Sequence, residues 1–105
     1  MPTSLENLRR EVDQLNLEIL ELFNLRGARV LEIARHKRAN GLPVRDRRRE
    51  AERLDRVIAH NEGPFGDDAV RDLFREIIEA SIQIMEPKRG ETTCDSALRA
   101  TSTRL

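Results

Sequence analysis

The longest segment without proline, in which Gly27 is the one glycine before Gly41, most constrains how this chain can fold. Its apolar residues recur in alternating steps of three and four, at Leu5, Leu8, Val12, Leu15, Ile19 and Leu22, and again at Val30 and Ile33. Such spacing is typical of one face of a helix. Thr3 and Glu6 form a capping box at its start, and Gly41 followed by Pro43 ends it. The pattern predicts a helix of about 37 residues, roughly 55 Å long.

A helix of that length is too long for a compact monomer of this size. The chain has 105 residues, and a compact domain of such a length has a radius of gyration of about 13 Å. The predicted helix must therefore extend beyond any monomeric globule, and its apolar stripe needs a second chain to cover it. We expect an intertwined homodimer.

Two shorter helices are predicted to follow. Asp46 is a good N-cap for the second, which runs toward His60 before the break "EGPFG" at residues 62–66. Asp67 or Asp68 can cap the third, which ends before Pro87. The expected buried side of this third helix comprises Val70, Leu73, Phe74, Ile77, Ile78, Ile82 and Met85. The fold class is therefore all-α, with three helices per chain and six in the dimer.

The composition changes after Pro87. Residues 87–105 are rich in Ser and Thr and poor in apolar residues, which is typical of a tail or linker. We expect residues 1–86 to form one helical domain and residues 87–105 to be a tail or a linker to a possible downstream domain.

Several classes of function are disfavoured by the composition. The chain has one cysteine, Cys94, and no apolar run suited to a signal peptide or membrane span, so we expect a cytoplasmic protein without membrane contact. His36 and His60 lack the spacing of metal ligands. With no metal motif, no glycine-rich phosphate loop and no evident nucleophile, we expect an activity without metal or cofactor.

The neutral total charge hides a basic central segment. Residues 1–25 carry a net charge of −3, residues 26–56 carry +6 and residues 57–105 carry −3. The centre should therefore attract anions. A nucleic-acid-binding dimer would use such a charge, but it would carry its cations on an exposed face, whereas Arg26 and Lys37 lie on the apolar side of the first helix. Aromatic residues, which stack on bases, make up only 3% of the chain. We expect no nucleic-acid partner.

Polar residues interrupt the apolar stripes of all three helices. Arg26 and Lys37 fall on the stripe of the first helix, Glu50 on that of the second and Ser81 on that of the third, while Arg9 lies at the edge of the first stripe and could reach another chain. Taken singly, these groups could pair with one another or extend to solvent. Together they predict a pocket for a small, multiply anionic ligand with a hydroxyl group.

These segments resemble a known family, the all-helical chorismate mutases. The similarity covers about residues 4–86 and rests on "LRREVDQLNLEILELFNLR" at 8–26, on Lys37 after "EIARH", on "PVRDRRRE" at 43–50 and on "LFREIIEASI" at 73–82. The resemblance implies a homodimeric isomerase that rearranges chorismate to prephenate on the route to aromatic amino acids, by positioning and electrostatics alone.

The resemblance also implies a role for individual residues. Arg26 would hold one substrate carboxylate, and Arg9 from the partner chain would hold another. Lys37 would donate to the ether oxygen, and Glu50 with the backbone of Asp46 would bind the ring hydroxyl. Arg49 and Ser81 would complete the polar lining. The remaining arginines between Gly41 and Leu54 are expected in solvent, namely Arg45, Arg47, Arg48 and Arg53.

Met85 departs from the family pattern, which has glutamine or glutamate there to join the lysine at the ether oxygen. We therefore expect a weak mutase, and Gln83 and Glu86 to point away from the site. The tail and "NEGPF" at 61–65 resemble mutase domains fused to 3-deoxy-heptulosonate-7-phosphate synthase, which implies a fused or associated synthase and a regulatory role. The alternatives are an isochorismate pyruvate lyase and a non-catalytic domain that senses prephenate or chorismate.

Overall fold

The protein is all-helical. The computed structural model describes residues 4–86, which form α1 (Leu5–Ala39), α2 (Arg47–Ala59) and α3 (Asp67–Met85) with no strand among them. The predicted all-α class, with three helices per chain, and the predicted helix order are confirmed. Thr3 and the predicted tail at residues 87–105 lie outside the described residues.

The helix α1 is long, as its periodicity predicted. Its 35 residues span about 52 Å at 1.5 Å per residue, and the radius of gyration is 17.3 Å against about 13 Å for a compact chain of this length. The Ser4 side chain accepts a hydrogen bond from the Asn7 amide at 3.1 Å, so Ser4 is the N-cap of α1. At the other end, Gly41 has a φ of 66°, a conformation that suits glycine after a helix C-terminus.

The predicted N-cap of α2 is confirmed, whereas the predicted N-cap of α3 is wrong. The Asp46 carboxylate accepts from the Arg49 amide at 3.1 Å and caps α2 as predicted. For α3, however, the N-cap is Gly66, and neither Asp67 nor Asp68 caps it. Both aspartates lie in the first turn, where negative charge still favours the helix dipole.

α3 packs against both α1 and α2, and the core lies where α3 crosses α1. Val30 and Ala34 of α1 pack there with Ile82 and Met85 of α3. Ala34 has no exposed surface at all. Leu73 was predicted on the buried side of α3 but is exposed, because no described element of this chain covers it.

The N-terminal half of α1 has no packing partner within the described chain. Every residue from 4 to 25 is exposed. These include the whole apolar stripe of this half, namely Leu5, Leu8, Val12, Leu15, Ile19 and Leu22, whose exposed fractions run from 47% to 66%. None of the described helices is long and apolar enough to cross a membrane.

Candidate active site

A pocket of about 370 Å³ opens where the three helices meet. It lies between the C-terminal halves of α1 and α3, the start of α2 and the loop that precedes α2. The side chains around it include nearly every predicted site residue, namely Arg26, Lys37, Asp46, Arg49, Glu50, Ser81 and Met85. Residues from all three helices, far apart in the chain, thus converge on one cavity.

Arg26 is held by the third helix. Its Nη1 donates to the Ser81 Oγ at 2.5 Å, and that hydroxyl donates in turn to the Ile77 carbonyl oxygen at 2.9 Å. Partial burial and the neighbouring charge of Arg53 lower the pKa of Arg26. No carboxylate forms an ion pair with Arg26 within residues 4–86, so the guanidinium is fixed in place and available to an anion.

Lys37 is anchored to the loop before α2. Its Nζ donates to the Val44 carbonyl oxygen at 2.9 Å, and the other N–H bonds of the ammonium remain available because this group has three donors. It also has no ion-pair partner in the described part of the chain. The cation therefore faces the pocket with its charge uncompensated by a protein carboxylate.

Glu50 is engaged by an arginine that we expected in solvent. Arg45 donates from Nε to one Glu50 oxygen at 3.0 Å and from Nη2 to the other at 3.1 Å. The same Nη2 donates to Glu79 of α3 at 2.7 Å. Hydrogen bonds to Glu50 and Glu79 raise the pKa of Arg45. The prediction for Arg45 was wrong, because its side chain is only 24% exposed and bridges two carboxylates.

The other arginines of this segment differ in where they lie. Arg47 is exposed and away from the pocket, as predicted. Arg48 and Arg53 are also exposed, but both border the pocket. Arg49, which lies between them in the sequence, is also exposed and lines the same pocket. Arg48 and Arg53 are thus exposed to solvent as expected, and they also line the cavity.

Met85 closes the pocket at the end of α3. It is 8% exposed, and its side chain offers no hydrogen-bond donor. Gln83 borders a separate groove beside α1, and Glu86 is exposed, as the helical angles predicted. Arg38, which the sequence did not single out, donates to the Met85 carbonyl oxygen and so holds the last turn of α3 against α1.

Arg9 does not reach the pocket of its own chain. It is exposed on the free half of α1, and its distance from Arg26 along the helix axis is about 25 Å at 1.5 Å per residue. No cluster of three potential metal ligands occurs among residues 4–86.

The pocket is strongly cationic. Five cations border it, Arg26, Lys37, Arg48, Arg49 and Arg53, against two carboxylates. Both carboxylates already have partners, since Asp46 caps α2 and Glu50 binds Arg45. Fold and site together define an all-helical protein with a cationic pocket between its three helices.

The comparison with known proteins agrees with that definition. The family model of chorismate mutase type II matches residues 8–86, and the chain belongs to this family. The predicted family is confirmed. Two solved structures of chorismate mutase from Thermus thermophilus are similar to the chain. Form II is 45% identical with a TM-score of 0.77, covering 80% of this chain and 96% of that one. Form I is 48% identical with a TM-score of 0.72, covering 73% and 96%.

Two curated relatives are bifunctional chorismate mutase/prephenate dehydratases. The one from Aquifex aeolicus is 32% identical over 84 residues, and the one from Stutzerimonas stutzeri is 31% identical over 90 residues. The matches cover 76% and 81% of this chain but only 23% and 25% of the relatives, so the chain spans about a quarter of their length. Their second activity is not the synthase that residues 61–65 and the tail suggested.

Proposed function

We propose that this chain catalyses the rearrangement of chorismate to prephenate. The observation that supports this most directly is the convergence of Arg26, Lys37, Glu50 and Ser81 on one pocket from three helices. A dianion with a hydroxyl group needs two cationic clamps and a hydrogen-bond acceptor. Membership of the chorismate mutase type II family supports this substrate over other small anions.

The reaction suits a site without a nucleophile. In a pericyclic rearrangement bonds form and break together within one molecule, so the protein must hold the substrate folded and stabilise the charge that develops. Arg26 would bind one carboxylate, and Ser81 would keep its guanidinium aligned while the site is empty. Positioning of this kind is worth about 7 to 11 kcal/mol in favourable cases.

Lys37 would stabilise the negative charge that grows on the breaking ether oxygen. Its bond to the Val44 carbonyl fixes the ammonium before substrate arrives, which reduces the reorganisation needed during the reaction. Glu50 and the backbone of Asp46 would bind the ring hydroxyl. Arg49 would extend the cationic rim, and Arg48 and Arg53 would attract the dianion toward it.

The second carboxylate clamp would come from another copy of the chain. Arg9 is about 25 Å from Arg26 along α1, and the apolar stripe beside it is exposed. A homodimer that buries this stripe would bring Arg9 to the pocket of the partner. The proposed active unit is therefore the dimer, and one chain alone would hold the substrate by a single clamp.

Met85 favours low turnover. Without a donor there, Lys37 would act alone on the ether oxygen, and loss of one such donor typically costs about 10² to 10³ in rate. The same residue is the observation that favours a second candidate, a domain that binds prephenate or chorismate without turning it over. A fused or associated 3-deoxy-heptulosonate-7-phosphate synthase stays a prediction from the sequence.

The test is to mix the purified protein with chorismate and follow its loss and the appearance of prephenate, with isochorismate in a parallel reaction. We expect prephenate, and no prephenate from the Arg26→Ala variant. Arg29→Ala is the matched control, since Arg29 is exposed on the same helix and pairs only with Glu32 among the described residues. Pyruvate from isochorismate alone would establish the lyase, and prephenate binding without turnover would establish the sensor.

A further inference from the structure

One ion-pair network connects the proposed site to the rest of the fold. Arg45 binds both oxygens of Glu50 through two parallel N–H bonds and binds Glu79 through the same Nη2. It lies in the loop before α2, whereas Glu50 is on α2 and Glu79 on α3. The Glu50 side chain is 17% exposed. The network thus fixes a mostly buried carboxylate against two other elements.

Glu50 would face a competing attraction without this network. It borders the same cavity as Lys37 and Arg49, neither of which has an ion-pair partner among residues 4–86. A carboxylate free to rotate in such a cavity would pair with one of these cations. That pairing would cancel positive charge meant for the substrate and withdraw the acceptor from the ring hydroxyl.

We propose that Arg45 is a positioning residue that keeps Glu50 turned to the substrate hydroxyl and away from the cations that bind substrate. Each carboxylate oxygen has two lone-pair sites, and Arg45 occupies one on each oxygen. One site on each oxygen is left for the hydroxyl. This inference rests on the proposed function, because it takes the ligand to be chorismate.

Glu79 has a supporting part in the same network. It holds the outer edge of the Arg45 guanidinium at 2.7 Å and is itself half exposed. Since the arginine fork is planar and binds a carboxylate at two points, a lysine at position 45 could replace the charge but not the geometry. Removing Glu79 should loosen Arg45 without releasing Glu50.

The experiment is a double-mutant cycle on kcat/KM for chorismate and on the affinity for prephenate measured by calorimetry. A bond to a charged group is worth about 1.5 to 3 kcal/mol, so Arg45→Gln should lower kcat/KM by about 10- to 150-fold. In the Glu50→Gln background, Arg45→Gln should lower kcat/KM by less than about threefold, because the carboxylate that Arg45 holds in place is no longer there. Arg45→Lys should recover only part of the loss.

Two further variants separate positioning from folding. Glu79→Gln should lower kcat/KM by a few fold, since an exposed pair contributes little, and Glu76→Gln should match the wild type because Glu76 is exposed on the same helix without an ion pair in the described chain. Circular dichroism and thermal unfolding would identify any variant that fails to fold.

The outcomes distinguish this inference from the function on which it rests. Suppose that the wild type is active and that Arg45→Gln lowers kcat/KM by the same factor in the wild-type and in the Glu50→Gln background. Arg45 then does not act through Glu50, and the inference fails while the proposed function stands. If the wild type neither converts chorismate nor binds prephenate, the proposed function fails and the positioning role fails with it.

Discussion

Replacing Met85 with glutamine should raise the rate of the proposed mutase. Met85 and Lys37 border the same cavity. The side chains of glutamine and methionine have similar lengths, and glutamine carries its amide at the end. The amide could therefore enter the pocket and donate beside the Lys37 ammonium. The α3 terminus should keep its place, because Arg38 binds the Met85 carbonyl oxygen and not its side chain.

The size of the gain follows from the value of one preorganised donor. Removal of such a donor from an enzyme typically costs about 10² to 10³ in kcat, so its addition could recover up to that factor. The change also has a cost, since an amide would replace a thioether that is 8% exposed. Burying an amide without a full set of partners costs about 1 to 3 kcal/mol of stability, and we expect the variant to melt earlier.

Steady-state kinetics with chorismate would measure the effect, and the increase should appear in kcat with little change in KM, because the donor acts on charge that develops only in the transition state. Met85→Leu is the matched control: it conserves volume, adds no donor and should not gain activity. If Met85→Gln binds prephenate as the wild type does but turns over no faster, position 85 is not at the ether oxygen.

Three further variants test the interface, the cap and the rim. Leu15→Asp should shift the protein to monomers in analytical ultracentrifugation and abolish turnover, because a charge on the exposed stripe opposes the proposed dimer. Asp46→Ala should lower the free energy of unfolding by about 1 kcal/mol, the usual value of an N-cap, as measured by urea titration. Arg53→Gln should raise KM several-fold at low salt and less at high salt, whereas Arg47→Gln, which changes a residue away from the pocket, should have a smaller effect.

The helices could be predicted from the sequence because they depend on local pattern. The apolar stripe of α1, Gly41 after its end and Asp46 before α2 all lie within a few residues of the feature that they determine. The α3 cap was misjudged because two aspartates and a glycine compete at adjacent positions. The backbone at Gly66 turns into the helix before either aspartate can act as the cap.

The site was predictable only where it lies on a helix. Arg26 and Lys37 were found because a cation at an apolar position of a regular stripe is conspicuous. Arg45 precedes α2 in a segment without helical periodicity, so no spacing rule relates it to Glu50. Its second partner, Glu79, is 34 residues away on α3, and that contact depends on how the helices pack. Arg53 differs, because it follows Glu50 by three residues on α2, and this helical spacing could have identified it as a neighbour of the site.

The proposed function depends on dimer formation, because the N-terminal half of α1 has no packing partner within the described chain. Residues 5–25 form about six turns of helix without packing from the described chain, and intrinsic propensity alone supplies little of the stability of a helix in a protein. Most helical stability in proteins comes from burial of an apolar face, so another surface should cover Leu8, Leu15 and Leu22. Arg9 is on this same segment. Whatever covers the stripe therefore also determines where Arg9 is held, and a second copy would satisfy both needs with one interface.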